Sequence, residues 1–134
     1  MTAKARNSLT WAALETAIAV VGLTALAGIS SVDAAETFRL LKGSEIRTKL
    51  AGMEFTDEVH WALVFGRDGT LITISMGRKS MGRWRVKQDR LCLERSAEDQ
   101  RCYAVWSSRK ALQLREPGLD VYEEGVVQRP AARS

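Results

Sequence analysis

From Gly82 to Leu114 apolar side chains return at every second position, in four short runs divided by polar breaks. Trp84 and Val86 alternate with Arg83, Arg85 and Lys87, and Leu91 and Leu93 alternate with Arg90 and Cys92. Tyr103 with Val105 and Leu112 with Leu114 complete the series. A period of two is the signature of a strand with one buried face. A two-residue loop at Gln88-Asp89 sets Lys87 opposite Arg90, Arg85 opposite Cys92 and Trp84 opposite Leu93. A loop of Ser96-Ala97-Glu98 then sets Cys92 opposite Cys102 and Leu91 opposite Tyr103. A turn at Ser108-Arg109 sets Val105 opposite Leu112 and Tyr103 opposite Leu114. The three turns agree on one apolar face, leaving Arg83, Arg85, Lys87, Arg90, both cysteines, Gln113 and Arg115 on the other.

The same reading extends upstream. Trp61, Leu63 and Phe65 alternate, and Gly66-Arg67-Asp68-Gly69 turns the chain into Thr70–Met76. A three-residue loop with a glycine bulge would pair Phe65 with Leu71 and divide the apolar residues between both faces. A four-residue loop pairs Phe65 with Thr70 and gathers Trp61, Leu63, Phe65, Ile72, Ile74 and Met76 on one face; this is the expected register. Before these strands, Gly43-Ser44 opens a short helix with Ser44 as N-cap and Glu45 in its first turn. Ile46 and Leu50 share one helical face, and Gly52 stops the helix. After Pro117-Gly118, Val121, Val126 and Val127 mark a final edge strand. The fold class is α+β, mainly β: a short N-terminal helix packed on an antiparallel meander of six to seven strands, either an open curled sheet or a small barrel.

The first 34 residues follow a different pattern. Lys4 and Arg6 precede an apolar run from Thr16 to Ile29, and Val32 and Ala34 occupy the small positions that signal peptidase reads, with cleavage before Ala35. The rival is a retained membrane anchor within residues 11–32. From Thr16 to Val32 there are 17 uncharged residues. As a helix they reach about 26 Å, short of the roughly 30 Å hydrocarbon core. The two differ in the first residue of the mature chain, Ala35 for export and Met1 or Thr2 for anchoring. The expected organisation is therefore 1–34 signal peptide or anchor, 35–128 one mainly-β domain, and 129–134 a tail.

Composition adds little: 46% hydrophobic and 27% charged residues exclude disorder throughout. The net charge is +4, and the leader carries two charges of each sign, so the remainder stays at +4. That favours acidic partners mildly.

Few residues offer chemistry. Two cysteines facing each other on adjacent strands of an exported domain form a disulfide, Cys92–Cys102, rather than a redox-active pair, which needs C-x-x-C spacing. His60 is the only histidine and stands near Asp57 and Glu58. A zinc site would need more ligands than remain, so no metal and no cofactor are expected. A Ser-His-Asp triad has no nucleophile-elbow motif to support it. Paired carboxylates could be drawn from Glu54, Asp57, Glu58, Glu123 and Glu124, but no pattern brings them to one cleft. The most suggestive feature is basic: Arg83, Arg85, Lys87 and Arg90 share an outward face, with Trp106 two strands away also outward. They form either a platform for an acidic glycan, lipid head group or protein surface, or an ordinary solvated face.

The leader and the pieces Leu41-x-Gly43-x-Glu45-Ile46, Asp68-Gly69-Thr70, Gly82-x-Trp84-x-Val86, Leu91-Cys92-Leu93 and Cys102-Tyr103-x-Val105-Trp106 resemble a group of small exported bacterial proteins of unknown function. The likeness spans Leu40 to Leu114, implies the same hairpins and export, and carries no activity. The expectation is a periplasmic or secreted, non-enzymatic envelope domain with a binding or accessory role and no nucleic-acid partner. The alternatives are a membrane-anchored accessory subunit facing the periplasm, and a small hydrolase or enzyme inhibitor.

Overall fold

The computed structural model describes Gly22, Gly28 and residues 36–133. The expected leader lies outside the described residues.

Among the described residues nine strands and one helix follow in order: β1 Arg39–Leu40, α1 Gly43–Leu50, β2 Glu54–Thr56, β3 Trp61–Phe65, β4 Thr70–Ser75, β5 Arg78–Lys87, β6 Arg90–Glu94, β7 Gln100–Ser107, β8 Leu112–Arg115 and β9 Tyr122–Gln128. All pairings are antiparallel, and β2 to β9 close into a barrel because β9 pairs with both β8 and β2. β1 adds to the C-terminal end of β7, beside Trp106 and Ser107. The edge strand expected after Gly118 is thus the stave that shuts the barrel. Closure removes the open edges of a curled sheet.

The interior is filled by Leu63, Phe65, Leu71, Trp84, Leu91, Leu93, Val105, Leu112 and Leu114, joined by Phe55. α1 lies across one end and buries Ile46 and Leu50 completely. Its first turn is held by β6's hairpin: Asp89 Oδ1 accepts the Gly43 N–H at 2.7 Å, and Glu45 accepts the Lys42 N–H at 3.3 Å. The cap therefore sits at Lys42 rather than at the expected Ser44. Gly52, at φ +78°, ends the helix as expected and gives its N–H to the Phe65 carbonyl at 2.7 Å.

The β5–β6 and β6–β7 registers are those read from the sequence, Trp84 opposite Leu93 and Cys92 opposite Cys102. Gln88 and Asp89 both take positive φ, as a two-residue turn of the twisted-hairpin type requires. The disulfide Cys92–Cys102 is formed, with S–S 2.01 Å. A disulfide of this kind fits an oxidising compartment outside the cytoplasm. Its ten-residue separation closes a short loop. Replacing both cysteines with serine is expected to cost about 2–3 kcal/mol by loop-closure entropy. An unchanged urea midpoint would show that the bond contributes no stability.

Two registers differ from expectation. β3 and β4 pair Phe65 with Leu71, through the three-residue glycine-bulge loop. Gly69 takes φ +91°, Gly66 N–H bonds the Thr70 carbonyl at 2.7 Å, and Asp68 Oδ1 accepts the Thr70 N–H at 3.0 Å. The interior takes Leu63, Phe65 and Leu71, while Ile72 and Ile74 stand half-buried outside and Met76 is exposed. A closed barrel with a tryptophan and two phenylalanines inside has no volume left for three more large side chains. Between β7 and β8, Val105 faces Leu114 and Ser107 faces Leu112, two residues away from the expected pairing. Ser108 Oγ accepts the N–H groups of Ala111 (3.0 Å) and Lys110 (3.3 Å), which builds a four-residue loop. A slip of two preserves every face.

Candidate functional site

β5 carries the basic residues outward because Trp84 and Val86 point into the barrel, and alternation does the rest. Arg83, Arg85, Lys87 and Arg90 are all exposed. Among the described residues none of the four makes an ion pair. Arg83 is the least free, since Glu94 stands directly opposite it. The Asp68 carboxyl lies below its ordinary range, chiefly through the Thr70 N–H and hydroxyl, with the charge of Arg83 a smaller contribution.

A hollow of about 470 Å³ lies on this face, with the Cys92–Cys102 bridge among its lining. Arg83, Arg85, Arg101, Glu94 and Gln100 also line it. Its volume is within the range of small-ligand pockets. The structure thus gathers Arg83 and Arg85 at the hollow and places Lys87 and Arg90 beyond its lining, toward the helix end. Arg101 is the member that sequence reasoning missed. Its register position opposite Leu93 reads as inward, but at the strand's first turn the side chain escapes to solvent. It also pairs with Asp99 at 3.3 Å and Glu116 at 3.7 Å, so its charge is partly spent.

Trp106 stands outward as expected but is not an open platform. The Arg115 guanidinium lies over its ring at 4.3 Å, with Tyr122 at 5.8 Å and Phe38 at 6.0 Å from the same carbon. Gln113 Oε1 fixes that guanidinium by accepting from Nε at 2.9 Å and from Nη2, and Gln113 Nε2 in turn donates to Glu124. Gln113 is buried, so this network is a built part of the outer wall. A guanidinium stacked on an aromatic face keeps its charge and loses its mobility.

The residue types that could serve catalysis are only partly brought together. His60 Nδ1 meets Asp57 Oδ2 at 2.8 Å on an exposed loop. Burial works to raise the Asp57 pKa, but N–H groups of Trp61, His60 and Val59 and the His60 ring outweigh it and hold the carboxyl far below its usual range. This is a turn-forming aspartate, and the shallow hollow around His60 contains no serine. Of the five carboxylates, Asp57, Glu58 and Glu124 line one hollow of about 220 Å³, where Asp57 is held by the turn's N–H groups and Glu124 binds Gln113. The other two stand apart, Glu54 on Arg133 and Glu123 on Arg95 at 3.0 Å. Tyr103 is buried near Arg95, and burial pushes its phenol up. Among the described residues no group of three or more His, Cys, Asp or Glu could hold a metal ion. No helix of the described residues is long and apolar enough to cross a membrane.

No protein-family model, curated protein or solved structure matches this chain.

Proposed function

We propose that the chain is an exported, non-enzymatic envelope domain, periplasmic or secreted, that binds an acidic partner through the outer face of β5–β7. One observation carries this reading: Arg83, Arg85, Lys87 and Arg90 are exposed on one face without an ion-pair partner among the described residues, beside a hollow that a third arginine enters. Cations held this close repel one another, and an acidic glycan, head group or protein surface relieves that repulsion. The disulfide supports the compartment, and the resemblance to small exported bacterial proteins lies in these same strands.

The test is charge reversal. Arg83→Glu with Arg85→Glu should abolish retention on a heparin column while leaving the melting temperature nearly unchanged, because neither side chain is buried. Wild-type retention by the double variant would reduce the face to ordinary solvated surface. Arg115 is the internal control, since its replacement should disturb the Trp106 stack rather than the hollow.

A further inference from the structure

We infer that the acidic partner is an extended polysaccharide bearing carboxylate or sulfate groups, laid along β5; this rests on the binding face proposed above. β5 is the longest strand of the barrel, ten residues from Arg78 to Lys87. Its register against β4 and β6 fixes which side chains face outward: Lys79 opposite Ile74, Met81 opposite Ile72, Arg83 opposite Glu94, Arg85 opposite Cys92 and Lys87 opposite Arg90. All five outward side chains of the strand are exposed, and four of them are cations. Alternate residues of a strand lie roughly 6.7 Å apart, so the row from Lys79 to Lys87 spans about 27 Å.

The charge runs chiefly along one strand. A compact anion needs one or two of these charges, and they are already supplied at the hollow by Arg83 and Arg85. Lys79 and Lys87 lie outside that lining, at opposite ends of the row. They extend the site along the strand, where most of the charge lies. Across it only Arg90, opposite Lys87, and Arg101, already paired with Asp99 and Glu116, add cations. The gap in the row is apolar rather than acidic: Met81 is 71% exposed, and half-buried Ile72 and Ile74 lie beside it. Such a gap suits the C–H faces of sugar rings between charged groups. A single-stranded nucleic acid would need exposed aromatic rings interleaved with the cations, and the row has none. A bilayer presents charge in two dimensions, and the neighbouring outward positions Thr70, Ile72 and Ile74 on one side offer none to meet it.

The experiment measures binding of the purified chain to heparin as a function of salt, with a heparin tetrasaccharide and anionic phospholipid vesicles as the other probes. Release of condensed counterions gives a slope of log affinity against log salt of roughly 0.7–0.9 per ionic contact for nucleic acids, so four contacts with a densely sulfated chain predict about 3. Lys79→Gln and Lys87→Gln should each lower the slope by about 1 without affecting the tetrasaccharide. The long chain should also bind more tightly than the tetrasaccharide. If both lysine variants keep the wild-type slope while Arg83→Glu with Arg85→Glu loses all binding, the polymer is wrong and the face stands. Equal affinity for tetrasaccharide and long heparin overturns it as well. Tight binding to vesicles with none to heparin reassigns the row to lipid. If the arginine reversal changes nothing, the face itself fails.

Discussion

Replacing Trp84 with alanine is expected to cost about 3–5 kcal/mol of folding stability. Trp84 is 7% exposed inside the barrel and meets Phe65 edge to face, with ring centroids 5.4 Å apart at 90°. Its Nε1–H donates to the Gly66 carbonyl at 2.8 Å, so the ring also holds the β3–β4 turn that the glycine bulge creates. Truncation opens a cavity, removes the aromatic pair and frees that carbonyl, three losses at one point. Domains of this size have only about 5–15 kcal/mol to lose. Arg85→Ala, on the adjacent residue, should stay within about 0.5 kcal/mol because its side chain is in solvent. Urea unfolding followed by circular dichroism compares the two directly. Similar midpoint shifts would mean that the faces of β5 are not as described.

Most of the barrel wall is legible in the sequence because alternation and turn chemistry agree there. Gln88-Asp89 and Ser96–Glu98 are short loops whose lengths leave few registers, and the Cys92–Cys102 bond fixes the second. The β3–β4 register is not legible by the same rule. Gathering all apolar residues on one face is sound for an open sheet but ignores the capacity of a closed one. Gly125 records the same limit: a side chain there would collide with the Thr56 carbonyl oxygen and the Phe55 ring at the β9–β2 seam that shuts the barrel. Such close approaches belong to closure, which a strand-by-strand reading does not contain. The three-residue β2 is invisible for a related reason, since no periodicity can be counted over so few positions.

The candidate site is legible only in its strand-borne part. Arg83, Arg85, Lys87 and Arg90 follow from parity alone. The hollow does not, because it depends on how Arg101 and Gln100 leave the start of β7. Nor does the fate of Trp106: parity places it outside, but only the third dimension brings Arg115, Phe38 and Tyr122 around it. Sequence separation also hides Asp89, a hairpin residue that caps a helix 46 positions earlier.

Separation hides one more pair, with a consequence that can be measured. Glu54 begins β2 on the outer side of the barrel, yet is only 1% exposed. Residues 129–133, expected as a tail, bring Arg133 onto it: Nη1 reaches Oε2 at 2.5 Å and Nη2 reaches Oε1 at 3.1 Å. Gln128 Nε2 and the Ala131 N–H add bonds of 3.3 and 3.4 Å. Burial works to raise the Glu54 pKa, but the guanidinium and these donors prevail and hold it below its ordinary value. Breaking a buried ion pair by removing one partner costs about 3–5 kcal/mol. Arg133 is 34% exposed, so water shares the task and the expected cost of Arg133→Met near neutral pH is about 2–3 kcal/mol. The sign of the pH dependence follows from the depressed folded pKa. The stabilisation is fully present above the unfolded value of about 4.3 and is lost as pH falls through the lower folded value. Wild type and Arg133→Met should therefore converge in stability in acid and separate as Glu54 ionises. In the variant the carboxyl is buried without its cation, so Glu54→Gln added to Arg133→Met should recover part of the loss. Parallel stability curves across the acid range would show that Arg133 contributes packing alone.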